Sequence, residues 1–377
     1  MKARGLSEDE VLAILHEKRE QDLSYDRIFS SMCTPAHPIA LKAHQLFQET
    51  NLGDPGLFPG AAELEQRAVK MIADLLGYPD AVGYLSTGGT ESNIQAIRAA
   101  RNAAGIRDGN VVVPRSAHFS FDKIGDLLRL EVRKADLDEE LKVDLNSVER
   151  LIDEKTVALV GIAGTTEFGQ VDPIDRLGDL ALDRGLYLHV DAAFGGFVLP
   201  FMEKKWRWDF GVEAVSSISI DPHKMGMSTV PGGGLLFRDG RHLDMLAAFA
   251  PYLTDNRPTA LTGTRSGGSA AATWAVMAHL GKEGFTRIVR RCMALTDQLV
   301  AGARAIGVEP VLEPIMNVVA LKAEPSPEKV RSELMKRGWL VSITQDPRAL
   351  RLILMPHATR DNIDLLLDDM AAVMRQL

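Results

Sequence analysis

Apolar positions follow two different spacings along this chain, and the change from one to the other divides it. Near the start, Ser7-Glu8-Asp9-Glu10 has the form of a helix-capping box, and Val11, Leu12, Ile14 and Leu15 follow at helical spacing. A second helix is predicted over about 39–49. The stretch Asn51–Gly60 is rich in Gly and Pro and reads as turn. Residues 62–76 then place apolar side chains on one helical face, and Gly77 closes that helix.

From Val82 short apolar runs alternate with helical stretches. Strands are predicted at 82–86, 111–113, 130–133, 157–162, 186–190, 215–220 and 233–237. Such alternation implies an α/β fold with a mostly parallel sheet covered by helices on both faces. The last pair differs. Only Asp221–Gly232 joins those strands, and Pro222 and Pro231 interrupt it. A parallel crossover needs a dozen or more residues, usually with a helix, so the last strand is expected to run antiparallel. After a loop at 250–268, helices are predicted at 269–281, 283–306, 326–337 and 359–376, with short strands near 317–322, 339–343 and 350–355. The expected organisation is an N-terminal helical segment (1–50), a large domain (51–280) and a small C-terminal α+β domain (281–377).

Composition narrows the function. The 377 residues are 46% hydrophobic, enough for a sizeable core. The net charge of −8, with no basic block, argues against a nucleic-acid binder, since phosphate neutralisation needs clustered cations. No apolar run approaches the roughly 20 residues a membrane helix needs. Met-Lys-Ala-Arg-Gly at the start lacks a signal-peptide core, so a cytoplasmic protein is expected. Cys33 and Cys292 are the only cysteines, which removes a disulfide framework and a Cys-rich metal cluster. His16, His44 and His279 fall in predicted helices without paired ligand spacing, so no metal is expected. Trp206 and Trp208 lie in a short segment that reads as a surface loop packed on the domain.

Three segments carry candidate chemistry, each at the carboxyl end of a predicted strand, where open α/β sheets bind ligands. Ser86-Thr-Gly-Gly-Thr-Glu-Ser-Asn93 joins a strand to the helix Ile94–Arg101. Its glycines expose backbone amides at a helix N-terminus, which favours an anion, and a simple helix cap fits the same residues. Leu186-Tyr-Leu-His-Val-Asp-Ala-Ala-Phe-Gly-Gly196 ends an apolar strand in Asp191, with small residues that leave room for a flat ring. Ser217-Ile-Ser-Ile-Asp-Pro-His-Lys-Met-Gly226 puts Lys224 in a turn beside His223, where desolvation is expected to strip its charge and make it a nucleophile toward an aldehyde. A phosphate cradle, an acid and a lysine are together what pyridoxal 5'-phosphate requires. His118, in Arg115-Ser-Ala-His-Phe-Ser-Phe121, is placed to stack on such a ring.

The Ser-Ala-His-Phe-Ser segment, Gly164-Thr-Thr-Glu-x-Gly169, His189-Val-Asp-Ala-Ala193 and Asp221-Pro-His-Lys224 resemble, in that order, the group II pyridoxal-phosphate decarboxylases of the aspartate-aminotransferase fold. The resemblance runs over nearly the whole chain and implies the type I fold, a seven-stranded sheet and a homodimer. It implies that Lys224 forms the Schiff base, Asp191 pairs with the pyridinium nitrogen, His118 stacks on the ring and Ala193 packs on its other face. Gly89, Thr90 and His223 would contact the phosphate, and Thr165 the cofactor's polar edge or its Asp partner. Gly263 and Thr264 would reach the phosphate of the neighbouring subunit. Lys224, His223 and Tyr252 are the candidates for protonating the substrate carbon, and Arg351, unless it lies in solvent, for binding a substrate carboxylate. The implied reaction is decarboxylation of L-tyrosine or L-aspartate, with Met32, Phe58 and Arg351 able to line either pocket.

Two features depart from the pattern. Asp221 stands where many relatives carry Asn, and the span 252–264 is shorter than the loop that bears a catalytic tyrosine in the aromatic-amino-acid enzymes. Aminotransfer and carbon–carbon cleavage of a phosphorylated substrate remain alternatives on the same scaffold. A non-catalytic homologue kept for binding is disfavoured by the intact Lys224, Asp191 and His118.

Overall fold

A computed structural model describes residues 4–377. The capping box forms: the Ser7 hydroxyl accepts from the Glu10 amide, and the Glu10 carboxylate accepts from the Ser7 amide, opening α1 (Glu8–Glu20). None of α1 is buried. The stretch 25–36 then joins the far end of the chain. Phe29 donates to Leu340 O and accepts from the Ile353 amide, and its ring lies in the C-terminal core. Residues around Phe29 are thus tied to the C-terminal part of the chain. Helices α2 (Pro38–Phe47) and α3 (Pro59–Leu75) both begin with proline, whose missing N–H costs nothing at a helix start.

The large sheet alternates with helices as its pattern predicted. In chain order come β1 (Val82–Tyr84), α4 (Gly89–Ala104), β2 (Asn110–Pro114), α5 (Ser120–Leu128), β3 (Glu131–Ala135), α6 (Leu145–Leu151) and β4 (Thr156–Ile162). Then follow α7 (Ile174–Arg184), β5 (Tyr187–Asp191), β6 (Val215–Ile220), β7 (Gly234–Phe237) and the short α8 (Gly240–Asp244). Spatially the seven strands run β1-β7-β6-β5-β4-β2-β3. Only β7 is antiparallel to its neighbours, pairing Ile220 with Gly234 on one side and Val82 with Phe237 on the other. The short connection at 221–232 has this consequence. Every residue of β4 and β5 is buried, as central parallel strands require.

Helix α9 (Gly267–Ala305) is broken at Gly281, whose φ of 56° and ψ of −173° favour glycine. It packs against α2 and α3, and further along against the last helix, α11 (Arg360–Gln376). Between them lie β8 (Val318–Leu321), α10 (Pro327–Lys336), β9 (Ser342–Ile343) and β10 (Leu350–Ile353). Their three-stranded sheet has the order β8-β10-β9 and carries a second core that includes Leu299, Trp339, Leu352 and Met370.

A buried ion pair ties three loops together under β1. Arg265 meets both oxygens of Glu65 and donates to Leu52 O at 3.0 Å, while Glu65 accepts the Leu85 amide at 3.0 Å. Removing one partner of such a pair strands the other charge. Arg265→Leu is expected to lower unfolding stability by about 3 kcal/mol, read from the urea midpoint. An unchanged midpoint would mean that water screens the pair.

Candidate active site

The cradle at the start of α4 is set by two glycines. The helix begins at Gly89, earlier than its apolar spacing indicated, so Thr90 through Asn93 form its first turns. Gly88 adopts a φ of 146°, which side-chain-bearing residues rarely adopt. A Cβ on Gly89 would press to 3.1 Å from Asp221 Oδ2 and 3.2 Å from Ala193 Cβ. The amides of Gly89 and Thr90 have no carbonyl four residues back, and the helix dipole adds to their pull on an anion. Glu91 turns away from them, accepting from the Thr87 amide at 2.8 Å and the Thr87 hydroxyl at 2.7 Å.

These residues open onto a cavity of about 340 Å³ that is also lined by His118, Asp191, Ala193, His223 and Lys224. Asp191 ends β5. Its Oδ1 accepts from the Ala193 amide at 3.1 Å and the Ser219 hydroxyl at 3.3 Å, and its Oδ2 from Asn93 Nδ2 at 2.9 Å. All three donors are neutral. The His118 ring lies against Phe119 with centroids 4.1 Å apart, and its Nδ1 accepts from the Ser120 amide. Burial pulls the His118 pKa below the ordinary histidine value although Asp191 works in the other direction.

Lys224 is the only lysine or arginine among the described residues that line the cavity. Its charge state corrects the expectation from sequence. Burial alone would lower its pKa, but Asp221, with Oδ2 3.0 Å from Nζ, and Asp191 outweigh it and hold the ammonium above the ordinary lysine range. Asp221 therefore has the cation that a carboxylate in this position requires. Its Oδ1 is buried with no partner. His223 donates from Nδ1 to Gly232 O, and its Nε2 lies 4.0 Å from Asp221.

Other expected residues lie elsewhere. The Thr165 hydroxyl accepts from the Gln170 amide at 2.9 Å inside its own turn, and its neighbours Gly164 and Thr166 line the cavity instead. Tyr252 is 84% exposed and outside the cavity of its own chain. Gly263 and Thr264 are also exposed, on a segment held against 51–56 by Asn51 and Thr254. Phe58 packs on the main core, whereas Met32 lines the cavity.

Arg351 is on the central strand of the small sheet and buried, which settles its two readings in favour of the interior. It donates from Nε to Thr166 O at 2.6 Å and from Nη1 to Ser30 O and Ser342 Oγ at 3.1 Å each. Nη2 has no hydrogen-bond partner among the described residues. Burial lowers its pKa to about 10 against the opposing Glu167, so it stays charged at neutral pH. Asn93 was not singled out from sequence, although its place in the first turns of α4, beside Asp191, is what aims its amide into the cavity.

The donor set fits pyridoxal phosphate. Open amides face where only a Gly backbone fits, a lysine reaches the same space, and a carboxylate with neutral donors lies across from it. Residues 26–323 match the family described as "Pyridoxal-dependent decarboxylase conserved domain", and the chain belongs to that family. It is a pyridoxal-phosphate-dependent amino-acid decarboxylase with the aspartate-aminotransferase-like fold. The chain is 63% identical, over 99% of its length and 97% of the other, to the probable L-tyrosine/L-aspartate decarboxylase of Methanothrix thermoacetophila. It is 48% identical to the probable L-aspartate decarboxylase of Archaeoglobus fulgidus, over 97% of this chain and 100% of that one. Among solved structures it is similar to Lactobacillus brevis glutamate decarboxylase, with a TM-score of 0.92 at 21% identity over 100% and 94% of the two chains.

Proposed function

We propose that this chain decarboxylates L-tyrosine and L-aspartate, giving tyramine and β-alanine. The observation that carries the reading is the convergence of Lys224, Asp191, His118 and the α4 N-terminus on one cavity; the names of the relatives above supply the substrates. Tyramine would serve methanofuran synthesis and β-alanine coenzyme A, in a cytoplasmic enzyme.

Bound pyridoxal phosphate supplies an aldehyde for the substrate amine and a ring that accepts the electron pair left behind by CO₂. The protein does the rest by position. The Gly89 and Thr90 amides would hold the phosphate, with His223 nearby. His118 and Ala193 would pack the two faces of the ring, and a neutral His118 would do so without adding a charge. Asp191 would keep a proton on the ring nitrogen. Lys224 would hold the cofactor's aldehyde until the substrate amine displaces it, and its freed amine would then return a proton to the carbon that lost CO₂, with His223 and the partner's Tyr252 as the alternative donors. Arg351 is charged and lies behind Thr166 and not among the lining residues, and its Nη2 would pair with a substrate carboxylate that reaches past Thr166. The apolar Phe119, Phe194 and Met32 accommodate an aromatic side chain in the same space.

The site is shared between two subunits in this reading. Leu46, Phe249 and Tyr252 are 76–84% exposed on a single chain. A homodimer covers them and brings Tyr252, Gly263 and Thr264 to the partner cavity. The proposed division is a large domain, 51–280, and a small domain, 281–377, that carries Arg351, and the break in α9 at Gly281 is consistent with it.

Purified protein with pyridoxal phosphate and equal concentrations of both amino acids is expected to form both amines. Neither product, with cofactor bound, would refute the substrate assignment. Arg351→Met should lower kcat/KM for L-aspartate by about 10- to 100-fold, the scale of one charge-assisted hydrogen bond. An unchanged value would remove Arg351 from the substrate site.

A further inference from the structure

Behind Asp191 lies a run of buried polar side chains to which the proposed reaction gives no role. His189 is two residues before Asp191 on β5, so both point to the same face of the strand. It is 0% exposed. Its Nδ1 lies 2.8 Å from Ser217 Oγ on β6, the residue paired with it in register. Its Nε2 lies 3.0 Å from Asn93 Oδ1. Asn93 Nδ2 reaches Asp191 Oδ2 at 2.9 Å and Ser120 Oγ at 3.2 Å.

With a neutral imidazole, donors and acceptors along this run can be satisfied in one way. A carboxylate only accepts, so the Asn93 amide nitrogen must face Asp191 and its oxygen must face His189. That oxygen needs a hydrogen on Nε2, which leaves Nδ1 bare to accept the Ser217 hydroxyl. Burial favours the same state, lowering the His189 pKa to about 4 despite the pull of Asp191. A neutral ring has a consequence for the chemistry. An imidazolium here would neutralise Asp191 from behind, whereas a neutral donor orients it and leaves its charge for the cavity. Without the His189 N–H, the Asn93 amide is free to rotate and turn its oxygen on the carboxylate.

We propose that His189 and Asn93 are positioning residues that lock Asp191 in the orientation that keeps the cofactor's ring nitrogen protonated. This rests on the reading of Asp191 given above. The test reconstitutes wild type, Asp191→Asn, Asn93→Leu, His189→Leu and Ser217→Ala with pyridoxal phosphate carrying ¹⁵N in the ring. The wild-type resonance is expected in the pyridinium range. Asn93→Leu and His189→Leu should move it toward the unprotonated pyridine and lower kcat about 10- to 100-fold, the scale on which outer-shell partners act, with little change in KM. Ser217→Ala, the mildest change, should shift it the same way by less, and it decides the matter if the leucine variants do not fold. A resonance that moves in Asp191→Asn but stays fixed in the other variants, with kcat within twofold of wild type, would overturn the relay. A resonance unmoved by Asp191→Asn would overturn the role of Asp191 itself, and the relay with it.

Discussion

Lys224→Ala is expected to lose the visible absorption band of the bound cofactor and to cut turnover by about 10⁴-fold or more, equivalent to roughly 5.5 kcal/mol or more of barrier. The size follows from the site having no substitute. Lys224 is the one lysine among the described cavity-lining residues, so no second amine is placed to replace it. A variant that keeps both band and turnover would move the covalent attachment to another residue. The charge on Lys224 adds a pH signature. Only a neutral amine attacks an aldehyde, and Asp221 and Asp191 overcome the effect of burial to hold the ammonium above its ordinary pKa. The neutral fraction then grows about tenfold per pH unit up to that raised value. Capture of the cofactor by the free enzyme should therefore quicken steadily from neutral to alkaline pH, followed by the growth of the same band. Asp221→Asn removes the nearest carboxylate, lowers the Lys224 pKa, and should shift the whole profile toward lower pH.

That signature could not be read from the sequence, and the reason is geometric. Asp-Pro-His-Lys is visible as a string, and burial of a lysine at a strand end is a fair expectation from it. Whether the carboxylate three residues earlier folds back onto Nζ depends on the turn, and it does so at 3.0 Å. The fold was more accessible because its determinants are local. Strand–helix alternation gave the parallel strands, and the length of 221–232 gave the antiparallel β7, since neither needs knowledge of distant contacts. Arg351 is the opposite case. Its strand was expected, but its place at the centre of the small sheet, with acceptors at Ser30 and Thr166, depends on chain segments 321 and 185 residues away. The same holds for Phe29, which belongs to a core built almost entirely from the other end of the chain.

Asp191→Ala should separate binding from chemistry. The α4 amides and the Lys224 amine stay in place, although Lys224 loses one of the two carboxylates that raise its pKa, so the variant is expected to bind pyridoxal phosphate within about tenfold of wild type and still show the band. Turnover should fall by about 10³- to 10⁴-fold, some 4–5.5 kcal/mol, because an unprotonated ring is a poor acceptor for the electrons released with CO₂. The surroundings support a large effect. Asp191 receives hydrogen bonds from Asn93, Ser219 and the Ala193 amide, all neutral, so its charge is oriented without being cancelled inside the protein. Asp191→Glu tests position against charge. It keeps the carboxylate but moves it by one methylene out of reach of those donors, and should recover only part of the rate. Near-normal turnover in Asp191→Ala would mean that another acid protonates the ring. Asp221, whose Oδ1 is buried without a partner, would be the first residue to replace.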